Sequence, residues 1–324
     1  MKKIIINEFG EPAVLQYVEV DKPTIGDSEV LIQVKNFSIN YADIKNRKGG
    51  KAKANFPMSL GLDLAGVVVE VGQSVTHIEV GDRVAAFAKD GAYAEYAVAN
   101  GKLVFKLPEE VSFEQGAASL TVTFLSYILT NKLVDISKNA FVIVHAASGG
   151  VGTTLLQLLK IKGVENIIAV TSSESKFALL KGYGAKYTFT YDDFSQGALD
   201  VTNGEGVDIV FDSVAGDVTK QSLVCLKEYG TLLQFGNSSG EVATFTNLDV
   251  HASCRNIMGF SLGTTRKLRP EYIQSLSKEV FALIQQQQIK THIEHVFDFD
   301  SIIEAHELME SRMHSGKILV AVEL

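Results

Sequence analysis

Cysteine is nearly absent from this chain: of 324 residues only Cys225 and Cys254 are cysteines, far apart and without CxxC spacing. A disulfide framework and a cysteine-rich zinc site are thereby excluded, and a reducing cytoplasm is the simplest compartment. Proline is scarce too, 5 residues against 27 glycines in a chain that is 46% hydrophobic. Disordered and fibrous classes do not have that balance, whereas a compact fold with many short connections does. Positive charge is in deficit, 30 Lys and Arg against 38 Asp and Glu for a net charge of −8, and no basic run is longer than a pair. The electrostatic footprint of a nucleic-acid binder is therefore missing, and no nucleic-acid partner is expected. Long apolar runs are missing as well: none reaches the roughly 18 residues of a membrane span, so no membrane partner is expected. The start, Met1-Lys2-Lys3-Ile4-Ile5-Ile6, opens like a secretory signal, but its apolar run stops at Asn7-Glu8 without a small-residue cleavage site.

What is present divides into two textures, as a chain too long for one core should. Up to about residue 120, short apolar or alternating runs at 3–7, 29–36, 65–71, 83–87 and 92–98 are punctuated by Gly61, Gly72, Gly81 and Gly91. That is the pattern of a folded-up sheet of short strands and tight turns. From about residue 122 the strand-like runs 141–146, 166–171, 187–190, 208–212 and 231–235 alternate with the helical segments 152–162, 175–183 and 217–228. Short runs apolar throughout suit a parallel sheet covered on both faces, so this half is read as a Rossmann doubly wound α/β domain. The tail adds helices at 270–287 and 300–312 and a last strand at 317–323.

The chemistry-bearing segment is Ala146-Ala147-Ser148-Gly149-Gly150-Val151-Gly152, an AxxGxxG turn between a strand and a helix. Small residues there let the backbone turn and approach a pyrophosphate, while N–H groups and dipole at the helix start attract its charge. Taken alone such a glycine pattern also fits a plain connection; the βαβ frame around it points to a dinucleotide. The second strand selects the cofactor. An acidic residue at its end would hold a ribose 2′-OH, but here it ends in Thr171-Ser172-Ser173, with Lys176 one turn on. Hydroxyls followed by a cation suit the 2′-phosphate of NADPH, with Glu174 read as a helix-start residue.

With those elements placed, the chain resembles the zinc-independent medium-chain dehydrogenases/reductases, in the quinone oxidoreductase group. The matching blocks run in order: Asn40-Tyr41-Ala42-Asp43 with Arg47 and Gly49, Gly61-Leu62-Asp63-Leu64-Ala65-Gly66, Gly81-Asp82-Arg83-Val84, Gly91-Ala92-Tyr93-Ala94-Glu95-Tyr96, the glycine turn, and Phe235-Gly236-Asn237-Ser238-Ser239-Gly240. The resemblance implies a β-rich GroES-like catalytic domain from residues 1–122 and 266–324, with a Rossmann NADP-binding domain at 123–265 inserted. It implies an active site in the cleft between them and a homodimer joined near Asn256 to Leu262. Zinc-dependent relatives place a cysteine in the first block and a histidine in the second. This chain has Tyr41-Ala42-Asp43 and Leu62 there, so no metal site is expected, and hydride transfer to an already electrophilic acceptor replaces alcohol oxidation.

The resemblance also nominates site residues. Asn40 is the candidate to hydrogen-bond the nicotinamide or the acceptor's oxygen, with Asp43 beside it, read with Arg47 as bracing the loop. Ser148, Gly149, Gly150, Val151, Gly152, Thr171, Ser173 and Lys176 form the cofactor cradle. Tyr191 is placed at the adenosine end, Phe235, Gly236 and Asn237 beside the nicotinamide, and Arg312 or Lys317 reaching in from the tail. Lys45 and Lys51 stand where relatives often carry aromatics, which leaves the acceptor open. Three activities fit: reduction of quinones or related conjugated carbonyls, C=C reduction of alkenals, enones or enoyl groups, and NADPH binding without turnover in a sensor or structural protein. Tyr41 and Lys45 form a YxxxK pair, but ahead of the nucleotide motif rather than after it, so it carries no short-chain dehydrogenase signal. The seven histidines show no HExxH spacing and are read as structural or surface residues, and Cys225 as a core thiol.

Overall fold

The computed structural model describes residues 1–50 and 55–323, so Lys51 lies outside the described residues. The chain forms two compact units, Met1–Phe124 with Thr265–Leu324, and Leu125–Thr264.

In the first unit a six-stranded sheet runs in the order Ile293–Asp298, Lys317–Ala321, Glu29–Ile39, Asp63–Val71, Arg83–Ala88 and Tyr96–Lys106. Glu29–Ile39 also pairs antiparallel with Tyr96–Lys106, which closes four of these strands into a barrel without a free edge. A three-stranded antiparallel sheet, Gln16–Glu19, Lys2–Ile6 and Met58–Ser59, stands beside them. The core gathers Ile4, Ile32, Phe37, Leu64, Val84 and Tyr93 with Ile302 and Met309 of the last helix, Ile302–Ser311. The tail thus completes the hydrophobic core that the first hundred residues begin.

The second unit holds six parallel strands in the spatial order Tyr187–Thr190, Asn166–Thr171, Phe141–Val144, Val207–Asp212, Leu226–Gln234 and Asn256–Gly259. Counted along the chain this is 3-2-1-4-5-6, the dinucleotide-binding order, and its direction reverses between Phe141–Val144 and Val207–Asp212. The inner strands Phe141–Val144, Asn166–Thr171 and Val207–Asp212 are buried on both faces, which is why they read as largely unbroken apolar runs instead of alternating ones.

Three sequence expectations need correction. The segment 270–287 is two helices, Pro270–Ser275 and Ser277–Gln285, because the hydroxyls of Ser275 and Ser277 turn back to the carbonyls of Tyr272 and Gln274. The strand expected at 92–98 is Tyr96–Lys106, since Ala92 to Glu95 are taken up by a turn that hydrogen-bonds to Leu60 and Lys2. The fifth parallel strand starts earlier than 231, at Leu226, through a register shift opposite Val207. Among the described residues no helix is long and apolar enough to cross a membrane.

Candidate active site

In the second unit the strand Phe141–Val144 leads through His145 into the glycine turn, and the helix Gly150–Ile161 follows. Ala146 adopts the left-handed conformation with φ 48°. Its N–H donates to the Tyr191 hydroxyl at 2.9 Å, and its carbonyl accepts Gly149 N–H at 3.0 Å. Ala147 N–H reaches Val170 O at 3.0 Å and so ties the turn to the neighbouring strand. Gly152 seats the first helical turn on this loop: a Cβ there would lie 2.5 Å from Ala146 O and Ala147 Cα. Gly149, at the N-cap, has no side chain to cap the helix. The N–H groups of Gly150, Val151 and Gly152 therefore enter the helix without an intrahelical acceptor, at the positive end of its dipole. An anion fits that demand.

The flanks of the turn are fastened. Ser148 Oγ and Thr171 Oγ1, both buried, share a 3.0 Å hydrogen bond. Ser173 Oγ accepts Ser175 N–H and caps the short turn Glu174–Lys176, which leaves Lys176 half-buried at its end. Across the reversal point, the Asp212 carboxylate accepts the N–H groups of Val214 and Ala215 and the Thr219 hydroxyl. Phe235 N–H donates to Asp212 O at 2.9 Å, and Asn237 Oδ1 accepts Gly240 N–H at 2.8 Å. Phe235 to Asn237 thus begin at the carboxyl end of the strand beside Val207–Asp212, where open parallel sheets take their ligands.

His145 is buried beneath the turn, 2.8 Å from Ser222 Oγ. Ser222 gives its single proton to Val218 O at 2.7 Å, so Ser222 Oγ accepts and the histidine proton sits on Nε2. Burial lowers its pKa to about 4 and keeps it neutral. Cys225 is the core thiol expected, its pKa raised to about 11 by burial.

In the first unit the residues nominated from the sequence lie inside a buried polar network. Asn40 precedes the helix Tyr41–Arg47, and its N–H donates to Asp43 Oδ2 at 2.9 Å. The Asn40 amide is committed on both sides: Nδ2 donates to Asp63 Oδ1 at 2.7 Å and to Ser38 Oγ at 3.1 Å, while Oδ1 accepts Lys317 Nζ at 2.7 Å. Lys317 Nζ also donates to Ser38 Oγ at 2.8 Å, and Ser38 passes its own proton to Asp63. Two side chains thus bridge a buried ammonium to a buried carboxylate. Burial pushes the Lys317 amine down, and Asp63 and Asp43 oppose that shift.

Asp43 collects a second set of donors. Gly61, at φ +98° with the Tyr93 ring and Ala92 too close to admit a side chain, turns its N–H onto Asp43 Oδ1 at 3.2 Å. On the far side, Arg47 Nη1 donates to His306 Nδ1 at 2.9 Å, and His306 Nε2 lies 3.1 Å from the Tyr93 hydroxyl. Because a guanidinium only donates, Nδ1 must accept and the neutral ring carries its proton on Nε2. The Tyr93 hydroxyl takes that bond and directs its own proton to Asp43. Arg47 is fully buried and pairs with Glu310 at 2.9 Å. Beside the network a pocket of about 460 Å³ is lined by Asp43, Asn46, Leu60, Leu62, Lys89 and Arg266, among others.

These buried groups set a pH dependence. Burial lowers His145 to about 4 and His306 to about 3, against 6.5 for a free histidine. As pH falls below about 6.5 the unfolded chain takes up protons that the folded protein refuses, so stability is lost, at most about 1.4 kcal/mol per pH unit for each histidine. Asp43 acts in the opposite sense: burial raises its carboxyl to about 6, so below that pH the folded state holds a proton the unfolded chain lacks. Two histidines against one carboxyl leave a net loss. Urea unfolding is expected to show stability falling steadily from pH 6.5 to pH 4; a flat or rising profile would contradict the buried neutral histidines.

Asn40 and Asp43 lie together, and sequence reasoning missed their partners Ser38, Asp63 and Tyr93, and His306, which joins Tyr93 to Arg47. Arg312 closes the last helix in the left-handed conformation, and its Nη2 lies 3.5 Å from the Tyr41 hydroxyl. Lys317, nominated from the sequence to reach the cofactor from the tail, is instead buried with its ammonium on Ser38 and Asn40. A signal was available for two of these residues, since Asp63 and Lys317 are charges set in apolar strand runs, and a charge facing a core must be paired.

Two family models match the chain, the alcohol dehydrogenase GroES-like domain over residues 26–109 and the zinc-binding dehydrogenase over residues 150–279. Among the described residues no three His, Cys, Asp or Glu side chains converge on a common metal position. A probable quinone oxidoreductase of Schizosaccharomyces pombe is 32% identical over 97% of this chain and 95% of its own length. Quinone oxidoreductase 1 of Escherichia coli is 32% identical over 98% of each chain. The solved structure of Escherichia coli quinone oxidoreductase complexed with NADPH superposes with a TM-score of 0.93 at 30% identity, covering 99% of this chain and 100% of that one.

Proposed function

Because the chain belongs to the medium-chain dehydrogenase/reductase superfamily, in its quinone oxidoreductase group, we propose that it is an NADPH-dependent reductase of quinones and related conjugated carbonyls. The observation that carries this reading is the anion cradle: three uncapped N–H groups at the start of Gly150–Ile161, at the reversal point of a 3-2-1-4-5-6 sheet. The donor set fits the cofactor. Gly150, Val151 and Gly152 take the pyrophosphate charge, Ser148 and Thr171 hold the turn, and Ser173 with Lys176 meet the 2′-phosphate. Phe235, Gly236 and Asn237 border the nicotinamide. When bound, the reduced nicotinamide supplies a hydride to an electrophilic acceptor.

The other named residues position. Tyr191 spends its hydroxyl on Ala146 N–H and its ring on His145, stacked at 5.9 Å between centroids, so it buttresses the turn from beneath. Asn40 and Asp43, with every polar atom already bonded, fix the loop that shapes the pocket floor rather than offering free groups to an acceptor. The same reading gives a homodimer through Asn256–Gly259, the edge strand of the parallel sheet, which has no neighbour on its outer side among the described residues.

The test is anaerobic NADPH oxidation with a panel of ortho- and para-quinones, enals and enones, in the wild type and in Lys176→Glu. Quinones should be reduced above the non-enzymatic background. The substitution should lower kcat/KM for NADPH by about thirtyfold, since it replaces a phosphate-pairing charge by a repelling one, and alter NADH severalfold at most. Saturable NADPH binding without turnover of any acceptor would sink the enzyme reading. Reduction confined to enals and enones would favour C=C reduction instead.

A further inference from the structure

Arg266 lies in the helix Leu262–Leu268, with its guanidinium over the Phe87 ring, 4.5 Å from the centroid. Stacking occupies the flat face of the group and leaves the in-plane N–H edges for partners. Among the described residues those edges have none: the guanidinium forms no hydrogen bond or ion pair, and Nε is shut off from solvent without an acceptor. Asp63 and Asp43 favour the charged form from a distance, opposing the burial that weakens it. Desolvated donors left unused are rare in folded proteins, and an incoming anion would remove their penalty.

The surroundings specify the ligand. Arg266, Lys3 and Lys89 line the pocket against Asp43 and Asp90, so a chain of net charge −8 presents here a cavity with more cations than acids. Lys89 is paired with Glu29 at 2.6 Å, and Asp43 is held by the donors described above; of the lining cations it is the Arg266 fork that has a donor shut off from solvent and unmet. An anion that presents two adjacent oxygens, as a carboxylate or a sulfonate does, satisfies such a fork through two parallel bonds, which a single carbonyl oxygen cannot do. Apolar Met58, Leu60 and Leu62 on the same lining suit a ring carrying that anion.

We propose that Arg266 is the specificity-determining residue of the acceptor pocket, and that its guanidinium binds a carboxylate or sulfonate carried by the acceptor, so that acidic quinones and enones are reduced in preference to neutral ones. The proposal rests on the quinone-reductase reading, and its test has an arm that does not. In the turnover arm, 1,2-naphthoquinone-4-sulfonate is compared with 1,2-naphthoquinone in the wild type, Arg266→Gln and Arg266→Lys. In the binding arm, 1-naphthoate and 1-naphthalenemethanol are titrated calorimetrically into the same proteins. The wild type should favour the sulfonated quinone by tenfold or more in kcat/KM, chiefly through KM. Arg266→Gln should erase that preference and weaken naphthoate binding at least tenfold, and Arg266→Lys, which keeps charge and loses the fork, should fall between. Equal handling of both quinones by the wild type would overturn the proposal. So would a fall in kcat for both quinones at unchanged KM in Arg266→Gln, which would place the guanidinium on the reacting oxygen. If neither quinone is reduced while naphthoate binds in an Arg266-dependent way, the anion site stands and the quinone reading fails. Should Arg266→Gln not fold, as judged by circular dichroism, the test is read from Arg266→Lys, in which a preference and a naphthoate affinity equal to the wild type's would overturn the proposal.

Discussion

Gly152→Val should weaken NADPH binding at least a hundredfold while the rest of the protein stays folded. A Cβ at this position meets Ala146 O and Ala147 Cα at 2.5 Å, and both are backbone atoms that cannot rotate away. Restoring ordinary contact requires the helix start to retreat by roughly 1 Å, and valine's two methyl groups add to the demand. The N–H groups of Gly150, Val151 and Gly152 retreat with it, and hydrogen bonds to an anion decay steeply with distance and angle. Losing even two bonds of about 1.5 kcal/mol each removes a factor of one hundred or more. Titration of the cofactor's own fluorescence measures the effect, with far-ultraviolet circular dichroism as the control. Binding within tenfold of wild type would mean that this turn is not where the pyrophosphate sits.

Lys317→Met gives the second large effect, on stability. The substitution keeps a long side chain and removes the ammonium that Ser38 and Asn40 relay to Asp63. A buried carboxylate left without its counter-charge destabilises a fold by about 3–5 kcal/mol. The sign of the pH dependence distinguishes this cause from lost packing. A carboxylate deprived of its cation is relieved by protonation, so the penalty should shrink as pH is lowered from 7.5 to 5.5, whereas a packing defect would be indifferent to pH. Adding Asp63→Asn should recover part of the loss, a coupling that a double-mutant cycle in urea would register. Additive effects of the two substitutions would refute the charge relay.

Both predictions bear on how much the sequence disclosed. The glycine turn was legible because its meaning is local: strand, small residues and helix lie within about twenty consecutive positions, and the first four parallel strands announced themselves by short apolar runs, whereas the edge strand Asn256–Gly259 was not read as one. The second strand, Asn166–Thr171, falls where the apolar run placed it. The first unit's network was not legible, because its contacts join Asn40 to Lys317 and Arg47 to His306 across 277 and 259 residues. Periodicity carries no information over such separations. Arg266 gave no signal at all, since it sits among Lys267 and Arg269 and looks in sequence like any solvated helix charge. Its stacking on Phe87 and its orphaned Nε exist only in three dimensions.

The pairing of the last strand, Lys317–Ala321, with Glu29–Ile39 has a consequence in time. Protein synthesis runs along the chain in order, so Asp63 leaves the ribosome about 250 residues before the lysine that answers its charge, an interval on the order of tens of seconds. Throughout that interval the opening strands can collapse only onto a centre whose negative charge is unanswered, while the intervening parallel sheet gains its strands one by one and has all six once Gly259 is made, still ahead of Lys317. The inserted unit is thus able to mature first, and the barrel that precedes it in the chain finishes after it, locked by a residue made only once that unit is complete.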